Sequence, residues 1–485
     1  MATKRQPALY VSAAALTIAC LLIGLCATGS LGWWALARPT PTPALPPPLA
    51  SPIPGTATPS PIPAAIPSAI STAVPTITPT TDSEATARHL RVFTRLWTLV
   101  RDDYLYPDYN GADWDAIGEA YRARVEAGLG DEDFWLLMKA MLRELNDDHS
   151  HFLSPGEVAE QELMEAGTLD YVGVGFSASA VPDKGYAVIL LIVPDSPAAD
   201  AGLRSHDRIL EIDDQPACCD EEGYDFLYHL LGPEGSAVKL RVQTPGKSPR
   251  TVTLIRRRIQ SSLSLETRQL EGGIGYILIP NLWDETLPEQ MHQALEDLAA
   301  GGGPSGLVVD MRVNAGGSST VLRALLSFFA DGELGHFVSQ DRKWPLRVRG
   351  TDVGGSQNVP LAILVGKDTV SFGELFSGVL QETRGARVVG RTTDGNVEIL
   401  SGHDFEDGSQ AWIAQETFRP PSGTDWEETG IVPDVEIPLD WDEFTVEDDP
   451  QLAAAVELLS ASTTADQACA CASSSLEKTL NADWP

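Results

Sequence analysis

Two stretches of this chain repeat one pattern, and the repeat limits the fold more than any other feature. The apolar run Gly306-Leu-Val-Val-Asp310 leads through Met311-Arg-Val-Asn-Ala-Gly-Gly317 into a helical pattern that opens at Ser318. The run Leu361-Ala-Ile-Leu-Val365 leads through Gly366-Lys-Asp-Thr-Val-Ser-Phe-Gly-Glu374 into Leu375-Phe-Ser-Gly-Val-Leu-Gln381. Strand patterns at Gly275–Pro280 and Ala386–Gly390, with a helix pattern from Glu289 to Leu298, complete the alternation. Strands that alternate with helices predict an α/β layer with an at least partly parallel sheet, whose functional groups gather at the C-terminal ends of the strands. Gly316, Gly317 and Ser371 all fall at such ends. Ser371 occupies a sharp strand-to-helix turn, from which a hydroxyl can project as a nucleophile. The first amides of the helix, that of Phe372 included, have no partner inside it and can stabilise an oxyanion, with the amides of Gly316 and Gly317 facing the same oxygen from a second loop. Read alone, each turn has a plainer explanation: Ser371 caps its helix, and Ala315-Gly-Gly317 is a tight connection.

The rest of the chain divides by texture. Its 485 residues suffice for two or three domains, and a hydrophobic content of 43% fills ordinary cores. The formal charge of −34, from 68 acidic against 34 basic side chains, repels polyanions and argues against nucleic acid as a partner. The six cysteines fall in the close pairs Cys20/Cys26, Cys218/Cys219 and Cys469/Cys471, none with the company of a zinc site, and no metal or cofactor is expected. In residues 1–38, Lys4 and Arg5 precede a run from Ala8 to Ala37 without a charged side chain. That run is long enough to cross a bilayer, and it predicts a signal anchor with the N-terminus in the cytoplasm; cleavage near Ala27-Thr-Gly-Ser30 is the alternative. Residues 39–82 hold fourteen of the 35 prolines and no Lys, Arg, Trp, Phe or Tyr, which predicts an extended, semi-rigid stalk. Residues 83–165 read as a small helical module ending in Leu145-Asn-Asp-Asp-His-Ser-His151, where His149 and His151 fall in a polar turn. Residues 168–258 are rich in strand patterns, 262–445 hold the α/β layer, and 446–485 form a tail with one helix pattern, Gln451 to Leu459.

Within 168–258, the order of strands, the segment Ser196-Pro-Ala198 to Gly202-Leu203 and Asp207-Arg-Ile209 resemble a PDZ domain. The resemblance implies that Val172, Gly173, Val174, Gly175 and Phe176 form the loop and strand edge that capture a peptide's C-terminal carboxylate and backbone by strand addition. Together with the helical module, Asp310–Gly317, Val370-Ser-Phe-Gly-Glu374 and Gly430-Ile-Val-Pro-Asp434, the chain over about residues 85 to 440 resembles the carboxyl-terminal-processing, or tail-specific, serine peptidases, whose family includes the tricorn core. The implied architecture is multidomain: a transmembrane helix and stalk, the helical module, the PDZ-like domain, and an α/β core of the ClpP/crotonase-like kind. The implied activity is that of a membrane-tethered or exported endopeptidase, acting outside the cytoplasm on proteins or peptides with accessible C-termini, through an acyl-enzyme at Ser371.

One departure matters. The processing peptidases take their general base from a lysine in a Thr-Phe-Gly-Lys-Gly-like turn, and the matching run here is Gly390-Arg-Thr-Thr-Asp-Gly-Asn396. Asn396 stands in the lysine's place, and an amide cannot take a proton from a hydroxyl. The tricorn-like branch pairs serine with a histidine supported by a glutamate. That resemblance implies His149 as base and Glu427 as the carboxylate that orients it, with Glu428 the nearest competitor and Asn396 a hydrogen-bond donor in the site. Lys367, four residues before Ser371, matches no family position. The other reading of Asn396 is an inactive relative that keeps its PDZ-like groove as a peptide-binding or scaffold module.

Overall fold

The computed structural model describes residues 83–147, 149–165, 169–217, 228–261, 263–300, 302–427 and 429–461. The expected anchor and stalk, all six cysteines, Glu428 and the end of the tail lie outside these residues. No helix among the described residues is long and apolar enough to cross a membrane.

The repeated strand–turn–helix units form the centre. Six strands are ordered Glu266–Gln269, Ile274–Leu278, Gly306–Asp310, Leu361–Val365, Arg387–Gly390 and Val435–Glu436, and every neighbouring pair after the first is parallel. The three central strands are buried along their whole length, which explains their continuous apolar runs: a parallel sheet is covered on both faces. On one face, Ile277, Val309 and Ile363 pack with Met291, Leu322 and Phe376 from the helices Leu287–Ala299, Ser319–Ser327 and Phe372–Arg384. On the other, Tyr276, Val308 and Leu364 pack with Val188 and Leu190 of the PDZ-like domain and with Trp441 and Leu459 from the C-terminal segment.

The PDZ-like domain is an antiparallel sheet ordered Phe176–Val181, Tyr186–Ile192, Arg208–Ile212, Ala237–Gln243 and Arg250–Ile255, with Gln215–Pro216 beside the third strand. Its own core is built from Ile189, Ile209, Leu240 and Leu254. The strand Tyr186–Ile192 is therefore covered twice, once by this core and once by the α/β layer. Trp441 Nε1 donates to Ile189 O at 3.1 Å, and Asp442 accepts from Tyr186 Oη and from Lys184 Nζ at 2.9 Å.

The helical module consists of Ser83–Asp103, Trp114–Glu126 and Asp131–Arg143. It packs not on the parallel sheet but on a second sheet that the sequence reading missed. That sheet is ordered His151–Leu153, Gln410–Arg419, Gly332–Val338 and Lys343–Val348, with Ile399–Asp404 also paired to Gln410–Arg419. Gln410–Arg419 is buried on both faces, so its residues carry no alternation to betray a strand. Phe93, Phe134 and Met141 of the module share one core with Phe152, Leu400, Trp412 and Ile413. Pairing of His151 with Trp412, and of Leu105 N–H with Ala414 O at 2.8 Å, fixes the turn that carries His149 against the rest of the molecule.

Candidate active site

The turn after Leu361–Val365 gives Ser371 a backbone that few residues adopt, φ +56° and ψ −124°. For a non-glycine residue such a conformation costs about 1–3 kcal/mol and persists only where neighbours enforce it. Here Asn396 O accepts the Ser371 N–H at 2.8 Å, Glu374 Oε2 accepts it at 3.1 Å, and the Ser371 carbonyl receives the amides of Glu374 (2.9 Å) and Leu375 (3.1 Å). Glu374, fully buried, binds the loop after Arg387–Gly390 as well: it accepts from Thr393 Oγ1, from Gly395 N–H and from Asn396 N–H, the last two at 2.9 Å. Burial pushes its carboxyl up to about 7 against the pull of these donors.

The second loop lies directly over Ser371. Val370 N–H donates to Asn314 O at 3.0 Å, and Asn314 Nδ2 donates to Ile279 O at 3.0 Å, so one buried asparagine joins two strand ends to the Ser371 turn. A Cβ on Gly316, whose φ is +96°, would stand 3.1 Å from Ser371 Oγ and 3.2 Å from Phe372 N. The missing side chain thus keeps open a space bounded by the Ser371 hydroxyl and the first helical amide. One expectation is corrected here: the Gly316 N–H does not face that space as a donor, because Asn314 Oδ1 accepts it at 2.9 Å. Gly317 is required by close approach, since a Cβ there would collide with the backbone of Leu282.

His149 is buried rather than solvated. Its turn is closed by Asp147, whose carboxylate accepts from His149 N–H at 2.7 Å and from Ser150 Oγ at 2.6 Å, while Ser150 Oγ accepts Ala414 N–H at 3.0 Å. The ring nitrogen Nδ1 stands 2.7 Å from Glu398 Oε2. The partner expected from the resemblance, Glu427, lies instead 3.8 Å from the other nitrogen, Nε2. The reason is local: Glu427 Oε2 accepts the Val397 N–H at 3.1 Å, which holds that carboxyl away from Nδ1 while the next residue, Glu398, projects onto it. Burial pushes the Glu427 carboxyl up to about 8, with the Glu398 charge adding to the rise and His149 opposing it. The loop 393–398 therefore links Ser371, Glu427 and His149. Asn396 receives Ser371, Val397 donates to Glu427, and Glu398 binds His149.

Asp147, His149 and Glu398 bring three potential metal-ligand atoms within 4.8 Å of one another. The Asp147 carboxylate is already committed to the amide of His149 and the hydroxyl of Ser150, and Glu398 to the imidazole. Their chemistry is that of a braced histidine rather than of an open cation cage.

In the PDZ-like domain, Leu169–Gly173 pairs with Arg257–Ser261, and Phe176–Val181 is the edge strand of its sheet, the position strand addition needs. Between them Gly175 has φ +83°, and its carbonyl accepts from Val193 N–H and Ser196 Oγ, both at 3.0 Å. A Cβ at Gly175 would overlap Ser196. Val172 and Gly173 thus end one strand, Phe176 opens the next, and Val174 and Gly175 form the link between them, pinned to the start of the helix Pro197–Asp200, whose Ala198 N–H donates to Val174 O at 2.9 Å.

Residues 273–437 match the model of peptidase family S41, residues 86–143 that of the tricorn protease C1 domain, and residues 188–244 that of a PDZ domain. The chain is similar to the chloroplastic carboxyl-terminal-processing peptidase 2 of Arabidopsis thaliana, 29% identical over 72% of this chain and 68% of the relative. It is also similar to the carboxyl-terminal-processing protease of Synechocystis, 29% identical over 76% of this chain and 86% of the relative. The structure of a photosystem II D1 C-terminal processing protease shares the fold, with a TM-score of 0.56 at 23% identity over 72% of this chain and 93% of that one.

Proposed function

Since the chain belongs to peptidase family S41 and is a serine-type peptidase, we propose that it is a membrane-tethered endopeptidase that captures protein C-termini through its PDZ-like domain and cuts by way of an acyl-enzyme at Ser371. The observation that carries the reading is the strained Ser371, held over the space at Gly316 by the same loop whose Glu398 binds His149 Nδ1.

In this mechanism Glu398 holds Nδ1–H, so that Nε2 carries the lone pair and acts as base. The Ser371 hydroxyl gives its proton to Nε2 as Oγ attacks the carbonyl carbon of the scissile peptide. The carbonyl oxygen becomes an oxyanion beside the Phe372 N–H, with the Gly317 amide as second donor. Collapse of the adduct breaks the C–N bond, and the imidazolium returns its proton to the leaving amine. Water then repeats the sequence on the ester, giving its proton to His149 and releasing Ser371. Glu427, near neutrality in pKa, adds no fixed negative charge beside Nε2 at pH 7.

The edge strand Phe176–Val181 and the turn at Gly175 suit the C-terminal strand of a substrate, in keeping with the relatives named as carboxyl-terminal-processing proteases. The uncharged run Ala8 to Ala37 and the proline-rich stalk support a single-pass anchor with the catalytic part outside the cytoplasm.

The test compares wild type with Ser371→Ala and His149→Ala on an unstructured protein ending in apolar residues, alongside labelling of Ser371 by a fluorophosphonate. Loss of turnover in both variants and rapid labelling of the wild type are expected. Equal turnover by all three would remove the assignment, and peptide binding without labelling would leave a binding module in its place.

A further inference from the structure

Asn396 is 7% exposed, and its side-chain nitrogen Nδ2 has no hydrogen-bond partner. Its backbone, by contrast, is fully used: the N–H donates to Glu374 Oε2 at 2.9 Å and the carbonyl accepts the Ser371 N–H at 2.8 Å. The orphan donor thus belongs to a residue fixed directly against the nucleophile. A buried donor without an acceptor loses its hydration and recovers nothing, so an apolar side chain of similar size would make the fold more stable. Such a group makes physical sense where its acceptor arrives with a ligand.

We propose that Asn396 is a catalytic residue whose Nδ2 donates to a carbonyl oxygen of the peptide substrate at the bond being cut, an acceptor that exists there only once substrate is bound. The proposal rests on Ser371 being the nucleophile. The chemistry of the neighbourhood fits a neutral donor. The carboxyls of Glu374, Glu398 and Glu427 surround the same loop, His149 already supplies the base, and an amide can donate without competing for the serine proton. The strain at Ser371 and the orphan amide are then two costs of one arrangement, both recovered when the tetrahedral adduct forms.

Asn396→Leu fills the same space without a donor, and Asn396→Ala removes the amide without filling it. Both are measured in the full chain for kcat and KM on an unstructured protein with an apolar C-terminus, and for Tm. The expected result is a kcat lower by about 10²- to 10³-fold in both variants, the range for losing one donor at a reaction centre, with KM within a few-fold of wild type. The Tm of Asn396→Leu is expected to equal or exceed that of wild type. An unchanged kcat in both variants overturns the proposal. So does a fall in the Tm of Asn396→Leu that accompanies its loss of activity, because the amide would then be serving the fold. Ser371→Ala, run beside them, separates the two readings: turnover that survives it removes the nucleophile itself, whatever Asn396 does.

Discussion

The Ser179 hydroxyl, on the edge strand of the PDZ-like domain, donates a 2.8 Å hydrogen bond to Asp368 Oδ1, three residues before Ser371. Burial raises the Asp368 carboxyl above the usual range, and the hydroxyl partly opposes that rise. Ser179→Ala leaves this carboxyl short of a donor, at a cost of about 1–3 kcal/mol. The expected outcome is a lower Tm together with a several-fold loss of kcat/KM on long substrates. Thermal unfolding and turnover, measured on the same preparation, check both; a variant indistinguishable from wild type in each would show that the bond carries nothing.

Glu398→Gln tests the brace on His149. Replacing the carboxylate by an amide removes the preference for Nδ1–H and the charge that stabilises the imidazolium. A loss of about 10²- to 10⁴-fold in kcat is expected, as when the acid of a serine–histidine pair is neutralised. Glu427→Gln, which resembles the protonated state of that carboxyl, is expected to stay within a few-fold of wild type at pH 6.5. The opposite ranking of the two variants in a steady-state assay would return the orienting role to Glu427.

Gly316→Ala places a methyl group 3.1 Å from Ser371 Oγ and 3.2 Å from Phe372 N, at a backbone φ of +96° that alanine rarely adopts. The space needed by the oxyanion closes, so cleavage is expected to fall below detection while the circular dichroism spectrum stays that of the wild type. Retained cleavage would mean that the carbonyl oxygen lies elsewhere.

Stability is expected to fall as pH rises from about 6.5 to 8. Glu374 and Glu427 hold their protons more tightly folded than unfolded, with values of about 7 and about 8 against 4.5. Their contribution is therefore complete below the unfolded value and is lost as pH climbs through the folded ones, at up to about 1.4 kcal/mol per pH unit for each group. Tm measured between pH 6.5 and 8.5 should decline and then level. Glu427→Gln should decline less steeply, and an equal slope in that variant would contradict the assignment.

Much of this architecture was legible in the chain. The strand–turn–helix repeat gave the parallel sheet and put Ser371 and Gly316-Gly317 at adjacent strand ends, because each local pattern agrees with the global one. His149 was legible only through resemblance to a family, since a histidine in a polar turn looks solvated until the strands that bury it are known. The central one of those strands, Gln410–Arg419, was hidden by burial on both faces. Glu398 was missed for a related reason, although one signal was present: it is a single carboxylate inside the otherwise apolar run Val397-Glu-Ile-Leu400. A charge placed there has to find a partner in the fold, and it finds the imidazole.

The pairing of His151–Leu153 with Gln410–Arg419 joins pieces of chain that leave the ribosome far apart in time. The imidazole is made early, while its carboxylate partner and the hydroxyl are made only after the whole PDZ-like domain has been synthesised. Under the proposed mechanism an unfinished polypeptide therefore holds a histidine with nothing to activate, and activity waits until the segment carrying Ser371 and Glu398 has been synthesised.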